Sequence, residues 1–171
     1  MHIRNCGLAL AVAFGLAATV ATAHPHFNKT VTVALPGGAE AKVSYNTTSA
    51  NEDLAKAVAV GGFATPRGPR LELSADVTAG DTTIPAGEYT IGVVRKSDSD
   101  WGMALYPGRV GRGEEPDKSK LIELESHYST AMGSAGHMLI DITPGSGSHE
   151  GRVALTLHFG SMFLAGLISE P

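Results

Sequence analysis

Hydrophobic and polar positions alternate along most of this chain with a period of two, the signature of half-buried strands rather than helices. Thr30-Val31-Thr32-Val33-Ala34-Leu35 is β-branched and alternating, stops at Pro36-Gly37-Gly38, and returns as Ala41-Lys42-Val43-Ser44-Tyr45. One short helix interrupts the pattern. Ser49-Ala50-Asn51-Glu52 reads as a capping box ahead of Leu54, Ala55, Ala57 and Val58, and Gly61-Gly62 closes the element. A loop at Thr65-Pro66-Arg67-Gly68-Pro69-Arg70 follows.

From Leu71 onward strands and turns alternate to the end. Leu71–Leu73, Thr82–Ile84, Glu88–Val94 and Trp101–Tyr106 read as strands, with Tyr89, Ile91 and Val93 sharing one face. A charged, Gly-rich loop covers residues 108–119 and is the segment expected to move most. In residues 121–125, Ile122 and Leu124 point inward and Glu123 and Glu125 outward. Met138–Ile142 and Val153–Leu157 flank Gly145-Ser146-Gly147-Ser148, a hairpin-like connection, and Met162–Ile168 closes the chain as an apolar strand, either internal or a pairing edge. About ten short strands with one short helix predict an all-β fold, an antiparallel β-sandwich or flattened barrel. No internal repeat is visible.

The front of the chain breaks this pattern. Arg4 precedes Gly7–Val20, a run without an ionisable side chain, and Ala21-Thr22-Ala23 forms a small-x-small site. The arrangement is that of a cleavable signal peptide, and the run falls short of the roughly 20 residues a membrane-spanning helix needs. Cleavage after Ala23 leaves a single expected domain over residues 24–171 in the periplasm or outside the cell, with His24 at its start. The only cysteine, Cys6, lies inside the signal, so the mature chain has no disulfide and no thiolate chemistry. Without Arg4, 12 basic residues face 17 acidic ones, a net charge of −5. That balance argues against nucleic acid and anionic membrane surfaces as partners.

Asp76-Val77-Thr78-Ala79-Gly80-Asp81-Thr82-Thr83-Ile84-Pro85-Ala86-Gly87-Glu88-Tyr89 is the most distinctive stretch, followed by Ser97-Asp98-Ser99-Asp100-Trp101. It resembles the hallmark of a family of exported bacterial proteins catalogued only as a domain of unknown function: an Asp-Val turn, a Gly, Pro-Ala-Gly-x-Tyr, a short loop and a Trp strand. The pair Val153–Gly160 and Met162–Ile168 is similar to that family's closing hairpin, so the likeness covers roughly residues 71–171. The family has no assigned activity, and the resemblance therefore implies fold rather than chemistry. Ahead of Leu71 the chain departs from the family pattern. In physical terms Pro85 fixes φ, Gly87 permits a positive φ and Tyr89 starts a strand, which reads as a hairpin signature.

Catalytic constellations are poorly represented. Gly147-Ser148-His149-Glu150-Gly151 places Ser148 off-centre for a nucleophile elbow, and no second His follows His149 at the spacing a zinc protease needs. Glu114-Glu115 and Glu123 with Glu125 read as solvated faces. The expectation leans away from an enzyme; a hydrolase using Ser148 and His149 is the residual catalytic reading.

Histidine is the informative residue type. Six remain in the mature chain: His24, His26, His127, His137, His149 and His158. A free amine on His24 chelates copper together with ring Nδ1, and a second imidazole completes a T-shaped brace of the tetragonal nitrogen type that Cu(II) favours. Pro25 lacks an N–H and so rules out the amide-bound site with His in third place. His24, His26, His127 and His137 are the candidate metal ligands, with Met132 and Met138 as possible soft donors to Cu(I). At 6% aromatic residues the chain has little from which to build the flat aromatic surface of a copper monooxygenase, so copper binding is expected rather than oxidation. The alternative is a non-catalytic sandwich that binds a small ligand, glycan or protein without metal.

Overall fold

The computed structural model describes residues 26–111 and 113–171. Expectations that rest on residues 1–25, the signal peptide and His24 among them, lie outside the described residues. Two antiparallel sheets face one another, as the alternation predicts. The first contains β1 (Asn28–Ala34), β2 (Glu40–Asn46), β4 (Arg70–Leu73), β7 (Gly87–Arg95), β8 (Trp101–Pro107) and β9 (Ile122–Glu123) in that spatial order, with β3 (Phe63–Ala64) also paired to β7. The second runs β11 (Ala135–Pro144), β12 (Arg152–Gly160), β13 (Met162–Ser169), β5 (Val77–Ala79) and β6 (Thr82–Ile84), with β10 (Glu125–Ser129) also on β13. The thirteen strands among the described residues exceed the expected number because β3, β5 and β9 are two or three residues long, too short to carry a pattern.

The inner faces build one core. Leu71, Ile91, Met103 and Leu105 from the first sheet meet Met138, Leu155, Leu164 and Ile168 from the second in a single buried cluster. Tyr89, Ile91 and Val93 share the inner face of β7, as expected. Its outer face is buried as well, at Thr90, Gly92 and Val94. β13 is internal, bonded to β12 on one side and to β10 and β5 on the other, which resolves the open question about the last strand.

The chain changes sheet three times, between β4 and β5, between β6 and β7, and between β9 and β10. Two of these corners correct the sequence reading. Pro85-Ala86 is no hairpin: β6 pairs with β5 in one sheet, while β7 pairs with β4 and β8 in the other. The corner is stapled by the Tyr89 hydroxyl donating to the Pro85 carbonyl at 2.6 Å and by the Ala86 N–H donating to Asp76 Oδ1 at 2.8 Å. Burial of the phenol pushes the Tyr89 pKa up, with the Asp76 charge adding to it. Residues 121–125, expected as one strand, split at Leu124. Its N–H donates to the Met103 carbonyl, and the Ser126 hydroxyl bridges Met103 N–H and the Leu124 carbonyl, turning the chain into the second sheet.

Helix α1 (Glu52–Lys56) lies within the predicted stretch, but it ends at Lys56 with Ala57 as C-cap instead of running on to Gly61-Gly62, and its N-cap differs too. Ser49 is engaged in a β-bridge with His137 on β11, so the backbone stays extended there and Asn51 becomes the N-cap, accepting from the N–H groups of Asp53 and Leu54. Glu52, expected to fold back within a capping box, instead reaches across to the β12–β13 turn.

Candidate functional site

The N-terminal end of β1 lies against the segment that follows β2. His26 Nδ1 is 2.7 Å from the Thr47 carbonyl oxygen, and Phe27 and Thr47 exchange further hydrogen bonds around it. A carbonyl only accepts, so Nδ1 is the donor, and in the neutral imidazole this leaves the lone pair on Nε2. The same segment continues into the Ser49–His137 bridge, where Ala50 N–H donates to the Gly136 carbonyl and Met138 N–H to the Thr48 carbonyl. His137, half-buried, sits in the irregular stretch of β11 between Ala135 and Leu139, a bulge of the kind that re-aims a side chain. His26 and His137 therefore flank one short segment, 47–49.

The remaining candidates are elsewhere. His127 is exposed on β10 opposite Ala165 of β13, three strand spacings (about 14 Å) from β11 across the sheet. Met138 is fully buried in the core and Met132 sits exposed in the loop before β11. His158 packs edge-on against Phe163, with ring centroids 5.7 Å apart. Among the described residues, no three His, Cys, Asp or Glu side chains come together as a metal-binding group. Ser148, His149 and Glu150 all lie exposed on or beside a 3-10 turn (Gly147–His149), which gives a hydrolytic site no shelter from water.

A feature that the alternation did not announce lies beside segment 47–49. An apolar cavity of about 310 Å³ opens at one end of the sandwich, between the sheets and beneath α1. Val93 and Trp101 line it from the first sheet, Leu157, Phe159, Met162 and Leu164 from the second, and Leu54, Ala55 and Val58 from the roof. Closed and empty, a void of that volume would cost roughly 7 kcal/mol at about 24 cal/mol per Å³, comparable to the whole stability of a small domain. The roof does not fill it. No residue of α1 is buried, and Leu54 stays 69% exposed at the mouth.

Polar straps hold this roof in place. Glu52 Oε1 accepts the Ser161 N–H at 2.6 Å at one end. At the other, Arg95 donates to the carbonyls of Lys56 and Val58 at 2.8 and 2.7 Å, with its guanidinium 5.9 Å from the Trp101 ring centre. The Ser161 amide, followed by its hydroxyl, lowers the Glu52 pKa. A depressed carboxylate pKa stabilises the fold above the unfolded value and loses that contribution as pH falls through the folded one. Amide exchange in α1 is therefore expected to accelerate only below the ordinary glutamate range, and Glu52→Gln should flatten that acid dependence; an unchanged profile in the variant would remove Glu52 from the strap.

On the outer face of the first sheet, Arg67, Arg70 and Arg109 border a polar groove of about 700 Å³, partly roofed by Val110, Gly111 and Pro116. Glu88 pairs with two of them, bonding Arg70 and lying 3.6 Å from Arg109, which leaves the three arginines in net positive excess.

No family model, curated protein or solved structure matches this chain. The cavity had one legible trace in the sequence: the helix and the turn after it carry Ala55, Ala57 and Ala59 beside Leu54 and Val58, too little side-chain volume to fill the space above a lone tryptophan.

Proposed function

We propose that the chain is exported and that its processed N-terminus binds a transition metal, preferably copper. His24 supplies its amine and ring, and His26 the second imidazole. Kinship with the exported family that residues 71–171 resemble belongs to the same reading. One observation carries it: the hydrogen bond from His26 Nδ1 to the Thr47 carbonyl, which orients the ring and leaves Nε2 as the donor atom. Metal-ligating histidines are commonly held in this way by a backbone carbonyl. His26 is exposed, so a metal can reach it, and His137 is bridged to Ser49 of the same segment. No helix among the described residues is long and apolar enough to cross a membrane.

The test is calorimetric titration of Cu(II) into protein processed between Ala23 and His24. One copper per chain is expected. His24→Ala, His26→Ala or one extra residue ahead of His24 should each weaken binding at least as much as the roughly 10- to 100-fold that outer-shell changes cost. His127→Ala should change nothing, because three strand spacings separate it from β11. Undiminished affinity in His24→Ala would sink the brace.

A further inference from the structure

We propose that the cavity beneath α1 is a binding site for a small, uncharged, lipid-like molecule, a function separate from the metal site. Fifteen residues line it and none is ionisable. Of the charged groups nearby, Glu52 is bonded to the Ser161 amide and Arg95 to the Lys56 and Val58 carbonyls and to Asp98, while Asp53 and Lys56 of α1 are exposed and outside the lining. A charged ligand would lose its water and find no counter-charge. An apolar one displaces loosely held water from a surface built of Trp101, Phe159, Met162, Leu157, Leu164 and Val93.

Size narrows the class further. The cavity has about twice the volume of the 150 Å³ apolar cavity that holds benzene, which corresponds to a ligand of roughly 12 heavy atoms. That suits a medium-chain alcohol or ester, or a compact terpenoid, and excludes a folded partner. Polarity is confined to Thr48, Ser49 and Asn51 on one wall and Thr65 on another. A single hydroxyl or carbonyl is therefore all the ligand needs to carry. The roof suits entry, since it is a five-residue helix with no fully buried side chain, held against the core only by the half-buried Ala55 and Val58 and strapped from outside by Glu52 and Arg95.

The chain contains one tryptophan, and it is part of the cavity wall, so a probe bound there lies against the donor, and cavity-filling variants tell this site from any other. The neutral probe 1-naphthylamine, whose size is within that limit, is expected to show saturable energy transfer from Trp101 at one probe per chain when titrated into the processed protein. 1-Decanol should displace it, and decanoate should need at least ten times the concentration. Ala55→Phe fills the space from the roof and should weaken probe binding at least ten-fold with the melting temperature kept or raised. If that substitution unfolds the chain, Ala64→Leu fills the same space from the sheet side and carries the same expectation. Leu54→Ser, at an exposed position on the rim, should weaken binding a few-fold. His24→Ala should leave probe binding intact, so that failure of the copper site and failure of this one are told apart. No saturable transfer, equal transfer in a folded filling variant, or decanoate competing as well as decanol would each overturn the proposal.

Discussion

Leu155→Ala is expected to lower stability by about 4 kcal/mol, near the top of the range for a buried leucine, and the melting temperature by roughly 10 °C. Leu155 is fully buried at the centre of β12, with Ile142 of β11 opposite on one side and Gly166 of β13 on the other. Strands bonded on both flanks hold the backbone in place, so the hole left by the side chain stays open. Leu157, two residues along the same strand, provides the contrast because it already borders the cavity beneath α1. Its side chain lacks neighbours on that side, and Leu157→Ala should cost about 2 kcal/mol, since fewer contacts are lost. Urea unfolding of both variants measures the difference. Equal costs would mean that Leu157 is packed on every side and that the cavity is not open space.

Gly92→Val is the second large effect, expected to cost about 3 kcal/mol through crowding rather than a void. A Cβ at Gly92 would stand 2.2 Å from Phe63 Cζ and 2.7 Å from the Ala64 carbonyl oxygen. The phenyl ring can swing toward the polar groove that it already borders, but the carbonyl belongs to β3 and is fixed by that strand's pairing with Val93 and Val94. Relief therefore requires β3 to separate from β7. Loss of amide protection at Val93 and Val94 with the rest of the first sheet intact is the expected signature; a uniform loss across both sheets would place the damage elsewhere.

These two positions also show how far local pattern reaches. Strand β12 was legible because it is buried on one side: Val153, Leu155, Leu157 and Phe159 face the core, and the residues between them are only half-buried. β7 was half legible. Tyr89, Ile91 and Val93 announce its inner face, but nothing in Thr90, Gly92 and Val94 says that the other face is covered too, because the cover comes from distant residues such as Phe63. The corners at Pro85-Ala86 and Leu124 were invisible for a related reason. Alternation records which side of a strand is apolar, and both sheets supply the same apolar side to one shared core. The helix was correctly located from its residues, but its cap was misassigned, since pairing of Ser49 with His137 across 88 residues decides where the extended chain ends.

The candidate sites divide in the same way. Residue chemistry alone nominated the histidines, because donor atoms and spacing near a terminus are local properties. Only the packed structure separates His127 from His137 and brings His26 and His137 to one segment, because strand order and register are set by long-range pairing. The apolar cavity depends on tertiary structure most completely. Each of its walls is an ordinary core or helix residue when read along the chain, and the space exists only because α1, strapped by Glu52 and Arg95, roofs two sheets without filling the gap between them. Strand content and an all-β class follow from period-two alternation, a property of neighbouring residues. Sheet membership, corners and empty space follow from which distant surfaces pack together, and no local pattern carries that information.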